Sequence, residues 1–166
     1  MKSSTPEKTP CNHLGVFQET IDKLVLLAMF LPVLAGQSGN TGAQALAVLI
    51  RELTGGSIGN KIKSQLIKES VLGIVHGFGV GLICAIVMYY IAVAQNNPHA
   101  FPLSIIILVA MTASCVVSGL MGAVVPVTLK KFGADPAAGS SIILTTGTDV
   151  VSMGVMLFLA QKFILS

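Results

Sequence analysis

Residues 70–129 read SVLGIVHGFGVGLICAIVMYYIAVAQNNPHAFPLSIIILVAMTASCVVSGLMGAVVPVTL, sixty consecutive positions without one Asp, Glu, Lys or Arg. About 20 apolar residues cross the hydrocarbon of a bilayer as a helix, so this run holds two helices and a turn. The turn is Asn96-Asn97-Pro98-His99-Ala100-Phe101-Pro102, whose two prolines and two asparagines are poor in helix interiors. Spans are therefore predicted at about 70–94 and 103–129.

The same reading extends outward on both sides. Residues 24–50 also lack any Asp, Glu, Lys or Arg and predict a span of their own. After 129 the chain breaks at Lys130-Lys131-Phe132-Gly133-Ala134-Asp135-Pro136, and residues 137–161 form a last apolar segment interrupted by Asp149. The expected fold is an all-α integral membrane protein of four transmembrane helices, spanning residues 21–166, behind a polar tail at 1–20 that lacks the apolar core of a signal peptide. Residues 51–69, with Arg51, Lys61, Lys63 and Lys68 against Glu52 and Glu69, read as a polar loop plus the amphipathic start of the second helix.

Composition agrees. The 166 residues are 53% hydrophobic and 10% charged, where a soluble domain carries about 25% charged residues. A soluble domain of about 150 residues still exposes about 30% of its unfolded surface, too much for so apolar a chain. A soluble enzyme is excluded, and so is a nucleic-acid binder, because the net charge is only +3 and the ten basic residues are scattered. Tyr89 and Tyr90 close an apolar run, where interface belts favour them. Cys11, Cys84 and Cys115 have no C-x-x-C spacing and read as small hydrophobes, not as a disulfide or metal set.

Two segments are more than apolar. In Pro32 to Gln44, PVLAGQSGNTGAQ, Gly36, Gly39 and Gly42 recur every third residue and are expected along one side of a helix, where small residues let a neighbour approach. Between them stand Gln37, Ser38, Asn40, Thr41 and Gln44, polar groups that cost several kcal/mol each if left unsatisfied in hydrocarbon. Tight packing with amide hydrogen bonds is one reading. A water-filled path is the other, and it accounts for the five polar side chains as well as the glycines.

In the second segment, Leu144 to Ser152, helical spacing puts Ile142, Thr145, Asp149, Ser152 and Met156 on one face. Asp149 lies near the middle of its span, where insertion costs about 2.5–3.5 kcal/mol, and no span contains a Lys or Arg to pair with it. Such a carboxylate needs water, a proton or a cation. Asp135-Pro136 opens the same helix, and capping alone explains that pair. His76, flanked by Gly73 and Gly77, reads as a hydrogen-bonded neutral imidazole in close packing before a metal ligand.

The motif from Pro32 to Gln44, and the segment from Asp135-Pro136 through Thr145-Thr146-Gly147-Thr148-Asp149, resemble the MgtE-type magnesium transporters and their animal solute-carrier relatives. The resemblance runs from about residue 18 to the C-terminus and equates the four spans with the last four of a five-helix pore domain. It implies a homodimer in the cell membrane enclosing a pore for Mg²⁺, with Mn²⁺ or Co²⁺ as further candidate ions, and no enzymatic activity. It makes Asp149 the central ligand, Thr145 a contributor of its backbone carbonyl, and Asp135 a second acidic position at the cytoplasmic mouth. Gly36, Gly39, Asn40, Thr41, Gly42, Thr146 and Ser152 are expected to line the pore. Magnesium takes oxygen ligands and keeps several waters, which suits one carboxylate from each of two protomers.

The family's full-length members carry a cytoplasmic N-terminal domain, paired CBS domains and one further helix before the Pro32 motif. The corresponding expectation is that this chain works without CBS gating, or as an accessory or truncated subunit whose first helix comes from a longer family member. A cation/proton exchanger using Asp149 as the proton carrier is a third reading, and an intramembrane aspartyl protease is excluded because it needs a second membrane-embedded aspartate.

Cations set the orientation. The connections at 51–69, 95–102 and 130–136 hold four, zero and two Lys or Arg, so the first and third are expected in the cytoplasm and the second outside. In a cysteine-free background, Ser57→Cys and Asn97→Cys should react with an impermeant thiol reagent from opposite sides; labelling from one side defeats this topology.

Overall fold

The computed structural model describes residues 25–55 and 62–164. Four helices follow a helical turn at 25–28: α1 (Leu31–Thr54), α2 (Ile62–Ala94), α3 (Ala100–Lys131) and α4 (Pro136–Ile164). Three of them, over Ile62–Ala94, Ala100–Lys131 and Ser140–Phe163, are long and apolar enough to cross a membrane. The protein is an all-α membrane protein. The tail at 1–20 and the central part of the first connection, 56–61, lie outside the described residues.

Helix ends follow local chemistry. The expected single helix over 24–50 is broken at Met29-Phe30, and α1 starts afresh with Leu34 N–H donating to Phe30 O at 2.9 Å. Pro32 explains the restart: it has no N–H for the carbonyl four residues back, but is well placed in a first turn. The Asn-rich turn behaves as read. Asn96 takes a left-handed φ of 53°, and Asn97 Oδ1 accepts from the His99 N–H at 2.9 Å, which closes an Asx turn. Gly133, at φ 74°, ends α3, with the Ala134 N–H returning to Leu129 O at 3.0 Å. Asp135 stands just before α4, and Pro136 is its first residue.

α3 is the centre of the bundle, packed by α1, α2 and α4, while α1 and α2 barely meet. Its contact with α2 is a backbone contact. A Cβ placed on Gly73 would lie 2.8 Å from Val116 Cα, and one on Gly77 would lie 2.7 Å from Thr112 Cα. Gly81, one turn on, sits against Met111 and Leu108. On the other side α3 crosses α1 where Gly122 abuts the Gly42 carbonyl. Lipid is as apolar as Leu, so helices in a bilayer associate through such close van der Waals approach rather than by excluding water.

The core divides along the bundle. One apolar cluster joins Leu34, Met88, Leu103, Ile107, Met111 and Met156; a smaller one joins Leu49, Leu53 and Ala123. At the end of the smaller cluster, Lys130 Nζ donates to Leu53 O at 3.3 Å and ties the last turn of α3 to the last turn of α1.

The Gly36-Gly39-Gly42 row is not one contact surface within the chain. A Cβ at Gly42 would meet Ser118 Oγ at 2.8 Å, but at Gly36 or Gly39 it meets nothing within 4 Å. Each step of three residues turns about 300° at 3.6 residues per turn, so the row rotates away from α3. The four-residue repeat Gly73-Gly77-Gly81 stays on one face far better, and it is the row that carries the packing.

Substitution should separate the two kinds of glycine. Gly77→Ala puts a methyl into the α3 backbone and should destabilise the protein by about 1–3 kcal/mol. Gly79→Ala, with open space around it, should be neutral or stabilise by about 0.5–1 kcal/mol through helix propensity. Thermal unfolding of both variants in detergent micelles measures the difference.

Candidate ion pathway

α1 and α4 run antiparallel, and two contacts fix their register. Leu27 and Leu31 share a cleft with Met156 and Ala160, and Leu144 Cδ1 lies 3.2 Å from the Cβ position of Gly42. Interpolating between them puts Asp149 at the level of Gln37 and Ser38, with Thr145 and Thr146 near the level of Asn40. The two polar segments singled out in the sequence are thus neighbours on adjacent helices at similar depth.

Their side chains divide between an inner and an outer face. Ser38, Thr41, Gly42, Thr148 and Ser152 are buried inside the chain. Gly36, Asn40, Gln44, Thr145 and Thr146 are exposed, and Gly39 and Asp149 are half-buried. The stripe expected to share one face winds from outside to inside, with Ile142 and Thr145 exposed, Asp149 between, and Ser152 and Met156 buried. A spacing averaging 3.5 residues drifts about 20° per heptad on a straight helix, and this stripe is two heptads long. Asp135 is exposed at the turn between α3 and α4, beside Lys130 and Lys131.

The inner face is a layer of hydroxyls at mid-bundle. Ser38 Oγ donates to Ala35 O at 3.0 Å, Ser118 Oγ donates across the helix crossing to Ser38 O, and Thr148 Oγ1 donates to Thr145 O at 3.0 Å. Ser152 Oγ donates to Asp149 O at 3.1 Å. Ser114 Oγ, also in this layer, is the one buried side-chain oxygen without a partner among the described residues. These bonds spend the hydroxyls on backbone carbonyls. The Asp149 carboxylate makes no side-chain hydrogen bond among the described residues.

The outer face is the unusual one. Around Asn40, Thr145 and Thr146 stand exposed Val33, Ile142, Val150 and Met153, as on any lipid-facing surface. Exposed polar groups at that depth must be met by water or by other protein. Among the described residues no cluster of His, Cys, Asp and Glu forms a closed metal site.

Residues 31–159 match the sequence family MgtE, divalent cation transporter. The chain belongs to this family. Among its relatives are three proteins named Magnesium transporter MgtE. That of Enterococcus faecalis is 32% identical over 148 residues, which is 89% of this chain and 31% of that protein. The Bacillus subtilis protein is 27% identical over 157 residues, 91% of the chain and 32% of its own length, and the Thermus thermophilus protein is 26% identical over 146, 87% and 31%. The chain spans about a third of the length of these relatives. The match takes in both polar segments, so α1 and most of α4 of this chain lie within the MgtE region.

One acidic residue of this chain, at the end of the stretch read as a polar loop plus the amphipathic start of the second helix, is not singled out by the sequence. Glu69 lies inside α2, two turns beyond its start, and is buried. Gln65 Nε2 donates to its Oε1 at 2.8 Å. The signal was its phase: Gln65, Glu69, Gly73 and Gly77 recur every four residues and face α3 together. His76, on the same helix, is bonded as the sequence suggested, its Nδ1 3.1 Å from Thr41 Oγ1.

The inner and outer faces of α4 are chemically distinguishable. In a cysteine-free background Thr145→Cys should react readily with a small water-soluble thiol reagent and Ser152→Cys slowly. Equal rates would mean that the two positions share one environment.

Proposed function

We propose that the chain passes a divalent cation, Mg²⁺ first, across the cell membrane as a multi-pass homodimer, and that it is a transporter and not an enzyme. The observation that carries this reading is the polar outer face of α1 and α4, with the Asp149 carboxylate at mid-helix and no basic side chain beside it. Two such faces brought together across a two-fold axis remove the polar groups from lipid and enclose a path between them. The relatives' name, Magnesium transporter MgtE, supports Mg²⁺ as the ion.

The chemistry follows from the donors. One Asp149 from each protomer supplies two negative charges to an ion that remains largely hydrated, as Mg²⁺ prefers. Coulomb attraction is several-fold stronger in a low-dielectric pore than in bulk water, so this pair is the main counter-charge. The Thr145 carbonyl already accepts from Thr148 Oγ1, which leaves it a contact to the ion's water rather than to the ion. Gly36, Gly39, Asn40 and Thr146 line the path, while Thr41, Gly42 and Ser152 support it from inside the bundle. Asp135 acts at the cytoplasmic mouth, where its charge gathers cations but solvent screens it. An all-oxygen path selects against Zn²⁺ and Cu²⁺, which gain from Cys or His, and accepts Mn²⁺ and Co²⁺ more readily.

Flux of Mg²⁺ into proteoliposomes holding this chain alone tests the reading. Asp149→Asn keeps the shape but removes one charge per protomer, and should weaken Mg²⁺ binding at least about tenfold, or about 1.4 kcal/mol. Asp135→Asn should cost less. If Asp149→Asn conducts like the parent, Asp149 is not the ligand. If the parent itself does not conduct until a longer relative is added, the chain is an accessory subunit.

A further inference from the structure

A second cleft lies on the opposite side of α1, between it and α2, away from the face that carries Asp149. It holds about 340 Å³ and is lined by Thr41, Gln44, Glu69 and His76, with Leu72 and Val75 as apolar walls. α1 and α2 are antiparallel there, Thr41 opposite His76 and Val48 opposite Glu69.

The hydrogen bonds fix what the cleft offers. Thr41 Oγ1 donates its one proton to Gln37 O at 3.0 Å. His76 Nδ1 lies 3.1 Å from Thr41 Oγ1, a distance at which the imidazole can donate to it. In the tautomer that donates there, Nε2 is left as an acceptor. Glu69 accepts from Gln65 through Oε1 only, leaving Oε2. Gln44 adds an amide oxygen. No Lys or Arg lines the cleft.

The geometry points to a site for a hydrated divalent cation in this cleft, held through its water shell by Glu69, His76 and Gln44. Glu69 and His76 are seven residues apart, or roughly 10 Å along the α2 axis at 1.5 Å per residue. Two donors binding a bare ion directly at 2.0–2.1 Å would stand only about 4 Å apart. Acceptors on opposite sides of a hydrated ion stand about 10 Å apart, once a water ligand and a hydrogen bond of about 2.8 Å are added on each side. Six waters occupy about 180 Å³ at their liquid volume, which the cleft accommodates. Water ligands point their protons outward, so a lining of acceptors with no cation is the complement they need. The choice of a divalent ion rests on the transport reading; the acceptor lining does not.

Cobalt(III) hexammine, whose ligands do not exchange, tests the site because it binds only through its outer shell. The full chain is purified in detergent as Asp149→Asn, so the outcome is independent of the proposed pore ligand. Saturable hexammine binding, competed by Mg²⁺, is expected, with affinity falling at least tenfold on adding Glu69→Gln and less on adding Gln44→Ala. Leu72→Trp, on an exposed wall, should also weaken binding by crowding the cleft, and it leaves every acceptor in place. Absence of saturable binding, or binding indifferent to both Glu69→Gln and Leu72→Trp, overturns the proposal. Loss of binding in Glu69→Gln alone, with an altered melting temperature and a normal Leu72→Trp, also overturns it, since Glu69 is then only a structural residue.

Discussion

Backbone set against backbone is the constraint from which the rest of this bundle follows. α3 reaches α2 at Gly73 and Gly77 and reaches α1 at Gly42 and Gly122, with no side chain between. Dispersion between two heavy atoms is worth only about 0.1–0.2 kcal/mol, but it accumulates over a helix-length contact and falls away steeply with a small gap. Because these contacts leave so little slack, they also determine which residues of α1 and α4 turn inward. The hydroxyl layer sits next to the α1–α3 crossing because Ser118 can reach Ser38 only when Gly42 brings the two helices together.

The outer face inherits its character from the same packing. Once Ser38, Thr41 and Gly42 are committed to α3, helical geometry turns Gly36 and Asn40 outward. α4 is the least buried of the three spans long and apolar enough to cross a membrane, and its exposed polar residues lie beside those of α1. A lipid-facing helix gains nothing from threonines and an aspartate at that depth. The surface is therefore built for water or for another protein surface, and burial within the chain makes room for it.

Much of this was legible in the sequence, and the reasons differ by residue. Charge-free runs bounded by Lys, Arg, Asn and Pro mark helix ends because the bilayer excludes charges and turns need those residues, so the break at Asn96-Asn97 and the start at Asp135-Pro136 could be read directly. The restart at Leu31 was missed because hydropathy runs on through Met29 and Phe30, and only Pro32 signals it. The Gly36-Gly39-Gly42 row misled because a spacing of three is conspicuous in a sequence but rotates around a helix; Gly73-Gly77-Gly81 is plainer in space. Glu69 was lost at the boundary of a loop, where one residue of displacement decides whether a carboxylate faces solvent or a neighbouring helix. The division of Thr145 from Ser152 depends on how α4 lies against its neighbours, which periodicity alone does not supply.

The bond from Lys130 to the Leu53 carbonyl has a mechanical consequence. It fastens the C-terminal ends of α1 and α3, already in backbone contact at Gly42 and Gly122, into one lever. α4 is joined to that lever through a left-handed glycine, Gly133. Force applied at that end of the bundle is thus shared by α1 and α3, and α4 meets them through the turn at Gly133.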